Sequence, residues 1–148
     1  MKISKKCQYA LQAIFELAWR NTGQPVKIHK IARAQGISPR FTEIILNDLK
    51  HAGFVESKRG KEGGYMLARE AKDITVGDII EYVQGPISLV PQVKKGVSQI
   101  DFSGSQAFKV LWMEINNAVS QVCHAKTFAD LVIFEEKKQR QCVPNYAI

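Results

Sequence analysis

Two helical patterns separated by a tight turn occupy residues 28–52. The first pattern is amphipathic and stops at Gly36, a residue type that often ends helices. Ser38 and Pro39 follow, and a serine cap before a proline at the first helical position is a strong helix start. Two helices that meet across so short a turn follow the helix-turn-helix pattern, although other helical hairpins share it.

The second helix of this pair is predicted over residues 38–52, with Gly53 as its stop. Apolar residues recur along it about every four positions, which predicts a buried face made of Phe41, Ile45, Leu49 and Ala52. The opposite side is polar, and in a helix-turn-helix such a side can read a nucleic acid. Its members are Arg40, Thr42, Glu43, Asn47 and Lys50.

A short hairpin is predicted directly after the helix pair. Residues 54–57 and 65–68 read as strands, and the segment KRGKEGG joins them. Glycine lets such a tip adopt unusual backbone angles and approach a partner closely. Because a helix-turn-helix followed by a hairpin is a winged helix, the tip with Lys58, Arg59 and Lys61 is expected to enter a DNA minor groove or to clamp its phosphates. The alternative is an exposed hairpin whose charge is incidental.

Positive charge is concentrated in the first half of the chain. The 148 residues carry a net charge of +7, and residues 1–72 hold 14 Lys/Arg against 6 Asp/Glu. Residues 73–148 hold 7 Lys/Arg against 8 Asp/Glu, so this half is close to neutral. A basic half joined to a neutral half suggests a module that binds a polyanion, attached to something else. A solvated basic face without a partner would give the same charge pattern.

The rest of the chain is predicted to complete the winged helix-turn-helix domain and then to form a linker, dimerisation helices and a tail. A helix starts at Thr75, ends at Gly85 and completes a winged helix-turn-helix domain over residues 1–85. Residues 86–104 form a linker or effector loop, residues 105–134 form dimerisation helices, and residues 135–148 form a charged tail. The long helix has a wide apolar stripe made of Phe108, Leu111, Trp112, Ile115, Val119 and Val122. We expect this stripe to pack on its own copy in a homodimer, or alternatively on the first helix of the chain, which is predicted to begin after Ser4.

Several classes of protein are not expected. No apolar run approaches the roughly 20 residues that span a bilayer, and no secretory signal is recognisable, so we expect a cytoplasmic protein without membrane contact. The sequence contains no phosphate-binding glycine loop, no His-Glu-x-x-His and no other catalytic set, so it does not predict an enzyme. The fold class expected is mainly α with a small β-wing.

Three cysteines, an odd number at wide spacing, argue against a secreted disulfide framework. They are Cys7, Cys123 and Cys142. Cys123 and His124 are neighbours, so on a helix their side chains point about 100° apart and do not easily share one metal ion. We therefore expect no metal site, with these three cysteines and His124 as weak candidates for an unconventional metal or redox sensor.

Four stretches in order resemble the Rrf2 family of bacterial winged-helix transcription regulators. They are MKISKKCQYAL at 1–11, IARAQGIS at 31–38, LKHAGFVESKRGKEGGYMLA at 49–68 and ITVGDIIEYVQGPI at 74–87. The resemblance implies a homodimer whose two winged helices each read half of a palindromic operator, with the long helix crossing to the partner. We expect a sequence-specific regulator that acts as a repressor; a winged-helix module for protein–protein interaction is the rival.

The resemblance also suggests which residues touch DNA. The helix at 38–52 resembles the recognition helix of the family, and Arg59 with Gly60 matches the wing residues that enter the minor groove. Phe41 stands where tyrosine is usual and Thr42 where leucine is usual, so Thr42 either alters base reading or reflects a packing change. Including the cations expected at phosphates, the predicted contacts are Lys5, Lys27, Lys30, Arg33, Ser38, Pro39, Arg40, Glu43, Asn47, Lys58, Arg59, Gly60 and Lys61.

The cysteine content of the predicted linker decides whether the resemblance implies an iron–sulfur cluster. Cluster-binding members of the family carry three cysteines there, whereas residues 86–104 contain neither cysteine nor histidine. Thiolates are the usual ligands of iron–sulfur clusters, so no cluster and no other cofactor is expected. Some members are controlled by a partner protein, as the resemblance implies, and a protein or small-molecule effector is therefore possible.

Overall fold

The computed structural model describes residues 2–88 and 106–141, and in this part of the chain it is mostly helical with one two-stranded antiparallel sheet. The fold class predicted from the sequence, mainly α with a small β-wing, is confirmed. Most of the predicted linker and Cys142 lie outside the described residues. The elements are α1 (Lys5–Trp19), α2 (Ile28–Gln35), α3 (Pro39–His51), β1 (Val55–Lys58), β2 (Gly64–Leu67), a 3₁₀ turn (Ala71–Asp73), α4 (Val76–Gln84), α5 (Gln106–Ala125) and α6 (Phe128–Gln141).

Helix α1 lies at the centre of the core. Ser4 caps it by accepting a hydrogen bond from the Cys7 N–H, at 3.1 Å. Its buried face contains small residues, Ala10 and Ala13, beside the larger Ile14 and Leu17. Small side chains let neighbouring backbones come close, and α1 packs against α2, α3, α4 and α6.

The turn between α2 and α3 has the geometry that its residues predict. Gly36 follows α2 with a φ of 65°, in the left-handed region that costs glycine least. Ile37 is buried and pins the turn to the core. The Ser38 side chain accepts a hydrogen bond from the Phe41 N–H, at 3.3 Å, and Pro39 occupies the first position of α3. The helix-turn-helix is therefore formed as predicted.

The buried face of α3 differs from the prediction. It is made of Thr42, Ile45, Leu46 and Leu49, whereas Phe41 is 57% exposed. The assignment of Phe41 to the core and of Thr42 to the polar side is wrong. Positions spaced i, i+3, i+4 and i+7 form one helical face, and here that face begins at Thr42. The Thr42 hydroxyl donates to the Ser38 carbonyl at 3.0 Å, which satisfies this buried polar group.

Because Thr42 is fully buried, it does not reach a base from this position. Of the two explanations considered for a threonine at this site, the structure supports the packing change. Phe41 takes the outward position instead.

The wing pairs β1 with β2 in a register that runs from Val55 opposite Leu67 to Lys58 opposite Gly64. Each strand lies one residue away from its predicted position. Outside the two strands, Val26 exchanges two backbone hydrogen bonds with Tyr65, at 2.7 and 2.8 Å. The chain before α2 therefore adds a single bridge to the wing and fixes its base to the body of the domain.

Two capping boxes begin α4 and α6. The Thr75 hydroxyl accepts from the Asp78 N–H, and the Asp78 carboxylate accepts from the Thr75 N–H, at 3.1 and 2.9 Å. Thr127 and Asp130 exchange the same two bonds, at 3.1 and 3.0 Å. These bonds satisfy N–H groups that a helix start leaves free. Bonds from the Thr127 backbone and hydroxyl hold the pKa of Asp130 below its ordinary value.

The two capped helix starts are joined to each other. The Val76 N–H donates to the Lys126 carbonyl at 2.8 Å, and the Phe128 N–H donates to the Ile74 carbonyl at 3.0 Å. Phe128 is fully buried in the core that α1 and α3 share. The start of α6 is thus an integral part of the packing around the winged helix.

Helix α6 ends at Gln141, whereas the sequence predicted that the helices end at residue 134 and that a charged tail follows. The segment EEKKQRQ is charged, but its residue types are good helix formers, so charge here indicates an exposed helix. A hydrogen bond of 3.2 Å from the Gln139 amide to Glu135 supports this extension. Within residues 2–88 and 106–141, no helix is long and apolar enough to cross a membrane.

Candidate nucleic-acid interface

Every residue predicted to touch DNA is exposed. The recognition side of α3 and its cap contributes five of them, the wing contributes four, and the rest lie on α1, before α2 or on α2. Their contact with DNA stays a prediction. The exposed residues are Lys5, Lys27, Lys30, Arg33, Ser38, Pro39, Arg40, Glu43, Asn47, Lys58, Arg59, Gly60 and Lys61.

Side-chain hydrogen bonds join α3 to the wing. The Tyr65 hydroxyl on β2 donates to the Asn47 side-chain oxygen on α3, at 3.1 Å. One turn further along α3, the Lys50 ammonium donates to the Ser57 hydroxyl on β1, at 2.6 Å. Helix α3 and the wing are therefore held in one relative position. Both contacts were missed from the sequence, because the alternating pattern identified Tyr65 and Ser57 only as strand residues.

The wing tip is a tight turn that presents Arg59. The Gly63 N–H donates to the Gly60 carbonyl at 3.0 Å. A Cβ atom on Gly63 would lie 2.3 Å from the Lys58 carbonyl oxygen, so only glycine fits there without a shift of the backbone. This turn keeps the tip compact, with the cationic Arg59 on its outside.

The C-terminal half of α3 is fixed by its neighbours α1 and α4. The Lys6 ammonium lies 2.6 Å from the Asp48 carboxylate, and the Tyr82 hydroxyl donates to the Asp48 carbonyl at 2.9 Å. Arg69 follows the wing and donates to the Gly53 carbonyl just past α3, at 3.2 Å. Lys6 and Arg69 therefore use their charge within the domain.

The cations predicted to contact phosphates differ from Lys6 in their ion pairing. Among residues 2–88 and 106–141, none of Lys5, Lys27, Lys30, Arg33, Lys58 and Arg59 forms an ion pair with a carboxylate. An ammonium or guanidinium without an internal partner is available for a phosphate oxygen. The geometry thus separates the basic residues that hold the fold from those open to a polyanion.

Helix α5 leaves most of its apolar stripe uncovered. Phe108, Leu111 and Val122 are exposed, and Trp112, Ile115 and Val119 are half-buried. The helix packs on α4 and buries none of its residues completely. The predicted dimerisation residues are therefore largely open in a single chain, and their role in a dimer stays a prediction.

The end of α5 contacts α4 through His124. Its Nδ1 lies 2.9 Å from the Ser120 carbonyl, and its Nε2 lies 3.5 Å from the Glu81 carboxylate. The imidazole ring lies so close to Gly77 that a side chain there would collide with it. The hydrogen bond to Ser120 and the carboxylates of Glu81 and Asp78 raise the pKa of His124. This histidine thus has a contact role between two helices.

The two cysteines that the structure describes lie in apolar surroundings. Cys7 is buried and Cys123 is half-buried, and both belong to an apolar cluster with Ile80 and Ile87. Burial raises the pKa of both thiols, which favours the protonated form over the thiolate that metals require. Within the described ranges, no three His, Cys, Asp or Glu residues are grouped to hold a metal ion.

Comparison with known proteins gives a consistent set of relatives. The model of the Rrf2 family, described as an iron-dependent transcriptional regulator, matches residues 3–133. The transcriptional regulator CymR of Bacillus subtilis is 35% identical over 139 residues, which cover 94% of this chain and 95% of CymR.

Solved structures agree with this match. The structure of CymR, the global cysteine regulator of B. subtilis, superposes with a TM-score of 0.78 at 36% identity, covering 90% of this chain and 98% of that one. The structure of T. potens IscR superposes with a TM-score of 0.75 at 35% identity, covering 94% and 91%. The description of the family names iron, whereas residues 86–104 of this chain contain neither cysteine nor histidine.

Proposed function

The chain belongs to the Rrf2 family of transcriptional regulators, and from this we propose that it represses transcription by binding a palindromic operator as a homodimer. It is a DNA-binding regulator and not an enzyme. The observation that carries the proposal is the hydrogen-bonded unit of α3 and the wing. Exposed cations surround both elements, and they have no carboxylate partner in the described chain. As a bacterial type of regulator, it would act in the cytoplasm.

The proposed division of labour follows the chemistry of the exposed groups. Arg40, Glu43 and Asn47 on α3 would meet base edges or phosphates in the major groove, where each base pair presents a distinct pattern of donors and acceptors. Arg59 would enter the minor groove, as cationic wing tips do. Lysines around this surface would bind phosphates, which gives affinity without sequence information.

A dimer would give the second half-site. The exposed and half-buried apolar residues of α5 follow one stripe of the helix, and burying them in a two-fold interface would remove them from water. Large exposed apolar patches commonly mark such interfaces. A two-fold protein would then require a palindromic operator.

Salt dependence tests DNA binding against the rival protein-interaction module. We expect the logarithm of the association constant for duplex DNA to fall linearly with the logarithm of salt concentration, because bound phosphates release counterions. Lys27→Ala should reduce the magnitude of this slope by about 1. Fluorescence anisotropy with a labelled duplex gives both slopes.

The matched control is Lys137→Ala, which removes the same charge from α6, away from α3 and the wing. Its slope should equal that of the unaltered protein. Binding of DNA that does not respond to salt, or no binding at low salt, would favour the protein-interaction module.

We further propose that the regulator works without the iron–sulfur cluster of its cluster-binding relatives. The absence of cysteine and histidine from residues 86–104 and the burial of Cys7 support this. The effector would then be a partner protein or a small ligand.

Anaerobic purification tests the dimer and the cofactor together. We expect a colourless, iron-free protein with twice the 16.6 kDa mass of one chain, measured by light scattering, visible absorption and metal analysis. A monomer would contradict the dimer. A coloured sample that contains iron would contradict the cluster-free proposal, and the ligands to mutate would be Cys7, Cys123, His124 and Cys142.

A further inference from the structure

Tyr65 is held rigidly at the base of the wing. Its backbone N–H and carbonyl both bond to Val26, at 2.8 and 2.7 Å, and its side chain is 9% exposed within the core. Its hydroxyl donates to the Asn47 side-chain oxygen at 3.1 Å. Because these contacts fix Tyr65, its hydroxyl determines where the side-chain oxygen of Asn47 lies.

Asn47 lies on the exposed side of α3. Its amide offers an oxygen that accepts and an NH₂ group that donates, and a rotation of 180° exchanges the two. A free asparagine could therefore present either group to DNA. The Tyr65 hydroxyl can donate to the amide oxygen, and burial together with the nearby Glu43 charge raises the pKa of Tyr65, which keeps that proton in place.

We propose that Tyr65 is a positioning residue for sequence reading: its hydroxyl holds the amide oxygen of Asn47, so that the amide NH₂ is presented to DNA. This inference rests on the proposed function, in which α3 enters the major groove. Asn47 would act there as a donor to a base-edge acceptor, such as N7 or O6 of guanine, N7 of adenine or O4 of thymine. The wing strand thus contributes to reading the major groove without touching it.

The test is a double-mutant cycle of Tyr65→Phe and Asn47→Ala, using an operator selected from random duplex DNA and an unselected duplex as probes. Tyr65→Phe removes only the hydroxyl, and we expect it to weaken operator binding about fivefold, as for loss of one neutral hydrogen bond. Binding of the unselected duplex should stay unchanged. In the Asn47→Ala background, Tyr65→Phe should cause no further loss.

An equal loss in both backgrounds, or an equal loss for both duplexes, would show that the hydroxyl acts through stability alone and would overturn the inference. Ser57→Ala is the matched control, because it removes the other hydrogen bond between α3 and the wing. Its effect should add to that of Asn47→Ala. Circular dichroism verifies that every variant is folded.

Asn47→Asp tests the donor role without altering Tyr65. The aspartate can still accept from the Tyr65 hydroxyl, but it cannot donate to a base and it adds a negative charge near the phosphates, so operator binding should fall at least as far as in Asn47→Ala. Retained affinity in Asn47→Asp or in Asn47→Ala would overturn the inference and leave the proposed function standing. The proposed function itself would fail if the unaltered protein bound no duplex.

Discussion

Replacing Phe128 by alanine is expected to lower the free energy of unfolding by about 3–5 kcal/mol. Phe128 is fully buried, although it belongs to α6, which follows the long helix α5 in the chain. Removing its ring leaves a cavity among residues of α1 and α3 that the packed core cannot fill. Denaturant titration followed by circular dichroism measures the change, with the protomer concentration held constant because dimerisation would affect it.

The matched control is Phe134→Ala on the same helix. Phe134 is 60% exposed, so the same chemical change should alter the free energy of unfolding by less than about 0.5 kcal/mol. Equal effects of the two substitutions would contradict the packing of α6 described above. A large effect of Phe128→Ala alone would establish that the winged helix depends on a residue far from it in sequence.

Replacing Arg59 by alanine is expected to weaken specific operator binding by about 1–3 kcal/mol. Arg59 is exposed at the tip of a turn in which Gly63 leaves no room for a larger residue, and it has no carboxylate partner in the described chain. Its guanidinium would therefore be lost from the groove without any compensating change in the fold. Anisotropy titrations at one fixed salt concentration, with a selected operator, measure the loss.

Arg140→Ala controls for the change in net charge, because Arg140 lies near the end of α6. This variant should bind the operator as the unaltered protein does. Arg59→Lys keeps the charge but loses the planar fork, so an intermediate affinity would separate geometry from charge. If Arg59→Ala bound with full affinity, the role of the wing in DNA contact would be wrong.

Local signals in the sequence predicted the elements well. Ser38 with Pro39, and Thr75 with Asp78, mark helix starts through hydrogen bonds that span three residues, so a sequence pattern contains the whole interaction. The winged helix followed from such signals in order. The exposure of the predicted DNA contacts also agrees with the polar side of α3.

The exceptions arise where distant parts of the chain decide the outcome. Thr42 is buried because it lies on the face of α3 that packs against the rest of the core, with Ile45, Leu46 and Leu49, while hydrophobicity alone assigned the core position to Phe41. The contact of Tyr65 with Asn47 joins residues 18 positions apart, through the packing of a strand on a helix. No periodicity along either element contains that information.

The paired helix starts of α4 and α6 have a mechanical consequence for α5. Ile87 is buried just beyond the end of α4, and Thr127 lies beside the start of α4, where it forms a bridge with Thr75. Helix α5 ends two residues before Thr127, so its C-terminal end is attached to the core, whereas its first six residues, 106–111, are exposed. Twenty residues make a helix of about 30 Å, so a tilt of about 5° about its C-terminal end would move its first turn by about 2.6 Å while its last turn would stay almost still.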